Sequence, residues 1–293
     1  KVMEWFQTFL VLSVAGSFLA GILLALKKWT GKQFSPTWQY VLWVGVLLVM
    51  VVPISVKVPA LVQPLQEKQV VQTVPLPAEQ TMTEQPAPVD TVEAPAGEIL
   101  PFTEETALPP ISWWDVLAVI WVLGALGSLG YRLTGYFRFS RHIRRTGKPM
   151  ELAGVPKRLR VYETSAAVSP MVMGMIRPTL ILPETALTES RLPYVLRHEL
   201  VHYRRGDIFW RWLAVLATSI HWFNPVVYVA AAQMQEACEI SCDWCVVRSM
   251  EQAKRDDYMR VILELLAEAM AKKQILTTQM TSEKKQLQRR FTM

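Results

Sequence analysis

The chain has 293 residues, 51% of them hydrophobic, and a formal net charge of +6. That length allows one large domain or two small ones, and the apolar residues gather into long runs, which argues for membrane spans and against an ordinary soluble globule. A positive balance can mark a nucleic-acid binder, but the basic residues sit mainly beside apolar runs, so a membrane explains them better and direct nucleic-acid binding is not expected.

The first element is WFQTFLVLSVAGSFLAGILLAL, Trp5 to Leu26. Crossing the hydrocarbon layer takes about 20 apolar residues, and this run qualifies. A signal peptide would place its charges before a shorter core; here Lys27, Lys28 and Lys32 follow the run. The second run, WQYVLWVGVLLVMVVPISV, extends from Trp38 to Val56. Trp38, Tyr40 and Trp43 open it as interfacial aromatics do. Pro53 lies near its far end, where a lost helix hydrogen bond costs least. Residues 1–57 therefore read as two transmembrane helices, 5–26 and 38–56.

Residues 58–112 hold eight acidic residues, one lysine and ten of the 19 prolines, with no helix or strand period. They read as an extended, disordered loop. The third apolar run, WWDVLAVIWVLGALGSLGY, covers 113–131. Its Gly124, Gly127 and Gly130 either admit a neighbouring helix closely or loosen their own. Between Arg132 and Lys148 there are six basic residues and no acidic ones. Positive flanks mark the cytoplasmic side. The expected topology has the N-terminus and the acidic loop outside, three spans, and residues 132–293 in the cytoplasm. The sequence starts on Lys1 and ends on QLQRRFTM, and reads as a piece of a longer protein.

Within residues 158–183, RLRVYET and PTLILP are short β-like runs bounded by proline and glycine, with SPMVMGMIRP between them. From Thr188 onward the pattern is helical; Thr188 or Ser190 can cap the start, and Pro193 fits the first turn. This helix carries YVLRHELVHYRRGD, which holds two of only four histidines. Residues four apart share a helix face, so His198 and His202 can both reach one ion about 2 Å from each nitrogen. Neutral imidazoles on a tetrahedral site suit Zn2+. Glu199 is poorly aimed to ligate, but it can take a proton from a water on the ion. The competing reading is two surface histidines on an amphipathic helix.

A catalytic zinc needs a third protein ligand and an open position. Downstream, QMQEACEISCDWCVV places Glu239 and Asp243 on one face of a second helix, with Glu236 on roughly the same side. Glu239 would ligate and Asp243 would orient a ligand from behind; an ordinary charged helix face is the alternative. Cys238, Cys242 and Cys245 fall within eight residues. Such a cluster suits reduced thiols on one helix, with a Cys242/Cys245 metal or redox pair as the rival reading, and does not look like a secreted disulfide framework.

RHELVHYRRGD, HWFNPVV and EISCD, preceded by GMIRPTLILP, together resemble the BlaR/MecR-type antirepressor metallopeptidases of bacterial membranes. The resemblance covers essentially the whole chain. It implies a mainly α membrane protein with three transmembrane helices and a cytoplasmic, gluzincin-like α+β zinc peptidase domain. It implies His198, His202 and Glu239 as zinc ligands and Glu199 as general base. It also implies regulated proteolysis in the cell membrane, by cleavage of the chain itself or of a cytoplasmic transcriptional repressor when an extracellular signal arrives. The extracellular penicillin-binding sensor of the named members is absent from this sequence. Expected partners are the lipid bilayer, a protein substrate such as a winged-helix repressor, and a second copy of the chain in a homodimer.

One stretch tests this reading. Residues 208–232, IFWRWLAVLATSIHWFNPVVYVAAA, are apolar enough for a span. A single crossing would carry Glu239 about 30 Å from His198. Asn224-Pro225 breaks a helix, and Arg211, His221 and Asn224 are expensive in lipid. A re-entrant or membrane-adjacent helix pair with both ends cytoplasmic is therefore expected; a true span with a cysteine or other third ligand is the rival.

Two further expectations concern substrate. The PTLILP strand would offer its edge to an extended peptide, unless it is buried core. Arg289-Arg290, in SEKKQLQRRFTM, would mark a self-cleavage region or simply the positive face of a further span. Two other functions remain open: a housekeeping membrane zinc protease of the CAAX prenyl type, and a non-catalytic signalling scaffold with a structural metal site. A base at Glu199 argues against the scaffold.

Overall fold

The computed structural model describes residues 2–27, 29, 33–53, 112–184 and 188–274. The expected acidic loop and the Arg289-Arg290 segment lie outside these residues. The fold is mostly helical, with one small sheet.

Helix α1 spans Val2–Ala25 and α2 spans Pro36–Val51. Ser35 precedes α2 in extended conformation and Pro36 takes its first position, where a proline loses no intrahelical bond. The helix stops before Pro53, whose ring disfavours helical backbone at Val52. It is thus shorter than the expected 38–56 span: 16 residues reach about 24 Å, against roughly 30 Å of hydrocarbon. Helix α3, Trp113–Thr146, is longer than expected. It continues unbroken through the basic YRLTGYFRFSRHIRRT because no proline intervenes before Pro149. Its 34 residues extend about 51 Å. Among the described residues, α1 and α3 are the two helices long and apolar enough to cross a membrane.

The sheet has the order β1-β2-β4-β3, formed by β1 (Lys148–Met150), β2 (Arg160–Glu163), β3 (Met171–Met173) and β4 (Thr179–Leu182). The β1/β2 and β3/β4 pairs are antiparallel and β2/β4 is parallel. Strands β2 and β4 lie inside the two expected β-like runs. The three-residue β1 and β3 carry too little pattern to be read from sequence. The PTLILP edge is overturned: β4 is paired on both sides, and Leu180, Ile181 and Leu182 are fully buried. A central strand offers no free edge. The free edge on that side belongs to β3.

Four more helices follow: α4 (Leu192–Arg205), α5 (Asp207–Ile220), α6 (Pro225–Val247) and α7 (Gln252–Gln274). Neither Thr188 nor Ser190 caps α4. Arg191 stands at the cap position, while the Thr188 carbonyl accepts from the Arg191 and Leu192 amides. Helices α5 and α6 form a hairpin broken at His221–Asn224. Its two ends lie together, since Tyr40 donates to Asp207 (3.1 Å) and Ser241 donates to Thr37 (3.1 Å), both partners being near the start of α2. Its tip reaches the other end of α2, where His221 Nε2 meets the Met50 carbonyl at 2.9 Å. The polar residues that would be costly in lipid find partners inside the bundle, although His221 Nδ1 and Arg211 Nε are buried with none among the described residues. Asn224 caps α6 by accepting from the Val226 amide and donates to Ser13 and Ser17 of α1. Trp121 of α3 donates to the Ile220 carbonyl. Of the three spaced glycines only Gly124 serves a close approach: a Cβ there would overlap the Trp222 ring, whereas Gly127 and Gly130 face open space.

The hairpin, α1 and α2 share one apolar core, with Leu47, Met50, Ala217, Val227 and Ala230 almost fully buried. Below it, α4 packs on the sheet and on α7 through Leu180, Val195, Val261 and Leu265.

Candidate metal centre

The site forms where α4, α6 and α7 meet the base of the hairpin. Helix α4 buries the face bearing Val195, His198, Glu199 and His202. It ends at Gly206, whose φ of +68° lies in the left-handed region that favours glycine. That single residue turns the chain directly into α5, which brings Asp207 beneath His202.

Each imidazole is held from behind. His202 Nδ1 donates to Asp207 Oδ2 at 2.7 Å. Asp207 is 1% exposed and also accepts from Tyr40 and pairs with Arg205 at 3.4 Å. His198 Nδ1 lies 2.8 Å from the Tyr258 hydroxyl and 3.2 Å from Asp243 Oδ1, and that hydroxyl donates to Asp243 at 2.6 Å. With Nδ1 engaged on both rings, the Nε2 atoms are the ones turned to each other, 3.2 Å apart. Glu239 closes the triangle, with Oε2 at 3.6 Å from His198 Nε2 and Oε1 at 3.7 Å from His202 Nε2.

An ion with bonds of about 2.0–2.2 Å in tetrahedral geometry would separate its ligand atoms by roughly 3.3 Å. Each of the three pairings comes within a few tenths of an ångström of that separation, the two imidazoles facing different Glu239 oxygens. Burial pulls the His202 pKa down, but the hydrogen bonds led by Asp207 outweigh it and leave it raised. At His198 burial acts likewise and is outweighed by Tyr258, Cys242 and Asp243. An ion at the Nε2 pair would therefore displace protons.

Two other buried groupings, His198/His202/Cys242 and His202/Asp207/Cys238, have the types to hold an ion. Both thiols sit behind the rings: Cys242 Sγ is 3.8 Å from His198 Nδ1, and Cys238 Sγ is 4.0 Å from His202 Nδ1. Those nitrogens already face carboxylates, and neither thiol lines the cavities at the Nε2 side. All three cysteines are free thiols, Cys245 half-buried on the same helix.

Glu199, buried beside its histidine neighbours, lies where two cavities of about 540 Å³ each meet. One runs past His198, Glu239 and Met171; the other runs past Val172, Arg177 and Phe209. Residues of both β3 and the site thus line each cavity. Arg211 also lines both and donates to Glu239 Oε1 at 2.8 Å.

A family model described as BlaR1 peptidase M56 matches residues 7–293. The chain belongs to this family. It is 34% identical over 98 residues to the regulatory protein BlaR1 of Bacillus licheniformis, which covers 33% of this chain and 16% of that relative. It is 24% identical over 163 residues to the methicillin resistance mecR1 protein of Staphylococcus aureus, covering 51% of this chain and 28% of the relative. The matched parts are thus less than a third of either relative.

In this M56 chain the expected residues His198, His202, Glu199, Glu239 and Asp243 all converge. Glu236 instead pairs with Lys27 at 3.2 Å. Asp207 pairs with Arg205, but its shorter contact is to His202. Tyr203 lines the second cavity. Arg205 is committed to Asp207, Ser241 and the Tyr40 ring, and Arg204 faces away on an exposed position. Tyr258 and the Arg211–Glu239 pair were not legible in the sequence. Tyr258 lies 60 positions from His198, in an unremarkable helical run.

Proposed function

We propose that this M56 family member is a membrane-embedded zinc endopeptidase of regulated proteolysis. The observation that carries the reading is the convergence of His198 Nε2, His202 Nε2 and both Glu239 oxygens beside Glu199 where two cavities meet. His198, His202 and Glu239 would hold the ion in a gluzincin-like set, with Asp207 and the Tyr258–Asp243 pair fixing the rings. Zinc, when bound there, polarises a carbonyl and lowers the pKa of its water toward neutrality. Glu199 accepts the proton of the attacking water and returns it to the leaving amine. Arg211, beside Glu239, keeps a cation at the site's edge. Substrate binds as an extended strand along the free edge of β3, in reach of both cavities.

The large apolar residues of α3 support the membrane reading. Val119, Leu123 and Leu126 are 54%, 63% and 61% exposed, a stripe that water would leave uncovered and lipid would cover. On this reading α2 is a third, short span and the α5–α6 hairpin is re-entrant. The sheet and the site then face the cytoplasm, because the basic stretch of α3 lies on their side. The substrate is the chain itself or a cytoplasmic transcriptional repressor of winged-helix type, cleaved in response to an extracellular signal. A housekeeping protease would share the site but not the need for a signal. A scaffold with a structural ion would have no use for a buried Glu199 at a cavity junction.

Elemental analysis and cleavage together test this. The purified chain should carry about one zinc, as a three-ligand site implies. Glu199→Ala should keep that zinc and lose cleavage of a peptide library, whereas His202→Ala should lose both. Unchanged zinc in His202→Ala would sink the ligand set, and cleavage by Glu199→Ala would sink the base.

A further inference from the structure

We propose that the β3–β4 turn, Gly174 to Pro178, inserts Ile176 into the headgroup layer of an anionic bilayer, on the face of the membrane nearest the sheet. Ile176 is 88% exposed, the highest value among the described large apolar residues, and Met175 beside it is 47% exposed. The turn is built to project. Gly174 has φ +91°, and a Cβ there would overlap the Arg177 carbonyl, so the chain reverses as tightly as glycine allows. Pairing of Met173 with Thr179 closes the turn's base, and the Thr179 hydroxyl donates to the Arg177 carbonyl at 3.2 Å.

Its position relative to the bundle names the partner. Gly174 to Pro178 and Gly206 to Phe209 line one cavity. Phe209, 55% exposed, stands in the first turn of α5. Just beyond it, Trp212 packs edge-on against Tyr136 of α3 at 5.0 Å, and Arg211 beside it lines the same cavity as the turn. Such a layer of aromatic and basic residues is what the boundary of a membrane bundle carries. The turn therefore lies at the depth where the bundle leaves the hydrocarbon.

Charge complementarity narrows the partner to anionic lipid. Lys157, Arg158, Arg160 and Arg177 line the same cavity and are all exposed. None of them forms an ion pair among the described residues. Cations beside an exposed apolar tip match a surface of negative headgroups over acyl chains. Because β3 ends at this turn, lipid contact would also fix the height of the strand beside the metal centre.

The inference rests on the bundle lying in a bilayer, and the test separates the two. Ile176→Cys and Leu126→Cys, each with Cys245→Ser, are labelled with an environment-sensitive fluorophore. They are placed in lipid discs holding one chain each, of phosphatidylcholine alone or with phosphatidylglycerol. The Ile176 label should shift its emission to the blue with phosphatidylglycerol, be quenched by nitroxide lipid and be shielded from iodide. Arg158→Glu with Arg160→Glu should abolish that shift while the thermal unfolding transition is retained. Lipid quenching at Leu126 with only iodide quenching at Ile176 overturns the inference and leaves the membrane reading standing. No lipid quenching at Leu126 overturns both. A blue shift that appears only in discs holding two chains assigns the tip to a second copy and overturns the lipid assignment. Equal shifts in the two lipids overturn the choice of an anionic surface.

Discussion

Replacing Asp207 with alanine tests how the second histidine is held. Its carboxylate is the group at 2.7 Å from His202 Nδ1, and the next polar atom there is the Cys238 thiol at 4.0 Å, too weak to substitute. Outer partners of ligating histidines are worth about 10–100-fold in metal affinity. With no replacement at hand, Asp207→Ala should fall at the upper end, about 100-fold, or roughly 2.8 kcal/mol. Tyr258→Phe provides the internal comparison. It removes the hydroxyl at 2.8 Å from His198 Nδ1 but leaves Asp243 at 3.2 Å, so a loss of about 10-fold is expected. Asp207→Ala also strands Tyr40 and Arg205, so thermal unfolding of the ion-free protein must be followed in parallel. The assay is zinc competition against a chromophoric chelator in detergent. Equal affinity in Asp207→Ala and the parent, or a larger loss in Tyr258→Phe than in Asp207→Ala, would refute the assignment of His202 Nε2 as a ligand held by Asp207.

Three further outcomes follow from the geometry, and a fourth from the proposed self-cleavage. Val172→Pro, on the free edge of β3, should cut peptide cleavage while zinc content holds; Ile181→Pro, in the buried central strand, should lose both, and a matching pair of results would move the substrate elsewhere. Gly124→Leu must displace the Trp222 ring and should cost about 1–3 kcal/mol of stability by overpacking, whereas Gly127→Leu, facing open space, should leave the unfolding temperature unchanged. Asn224→Ala gives up a helix cap worth about 1 kcal/mol and two hydroxyl partners worth about 1 kcal/mol each, so it should lower the unfolding temperature more than Ser13→Ala does. Mass-spectrometric mapping of termini in a longer version of the chain should find a break between residues 275 and 293 only when Glu199 is intact; the same break with Glu199→Ala would assign it to a host protease.

The sequence made the long apolar runs and the two-histidine helix legible because both are local patterns: hydropathy over about 20 residues, and a spacing of four on one helix face. Glu239 and Asp243 were legible for the same reason, once a third ligand was sought. The fold departed from expectation where a short or non-local contact decides. Helix α2 is trimmed by Pro36 and Pro53, α3 runs on through its basic half, and β3 is only three residues long. PTLILP read as a strand correctly, but whether its edge is free depends on neighbours that only the folded sheet supplies. Tyr258 and Arg211 enter the site by tertiary packing, which leaves no trace in spacing. Asp207 was closer to reach, since a glycine between two helical runs signals a sharp turn that returns its successor toward the preceding helix.

Glu239 sits on α6, an unbroken 23-residue helix whose start is pinned by Asn224 to α1. The two histidines sit on α4, which is packed on the sheet. The donors are thus divided between two structural bodies, two from one and one from the other, and an ion placed among them acts as a rivet. Sliding α6 along its axis by a single residue, about 1.5 Å, would carry Glu239 beyond bonding distance, and it is the burial of α6 in the cores on both sides that holds the register. The geometry of the centre is therefore set, on the ångström scale, by the same packing that fixes α6 between the bundle and the sheet side.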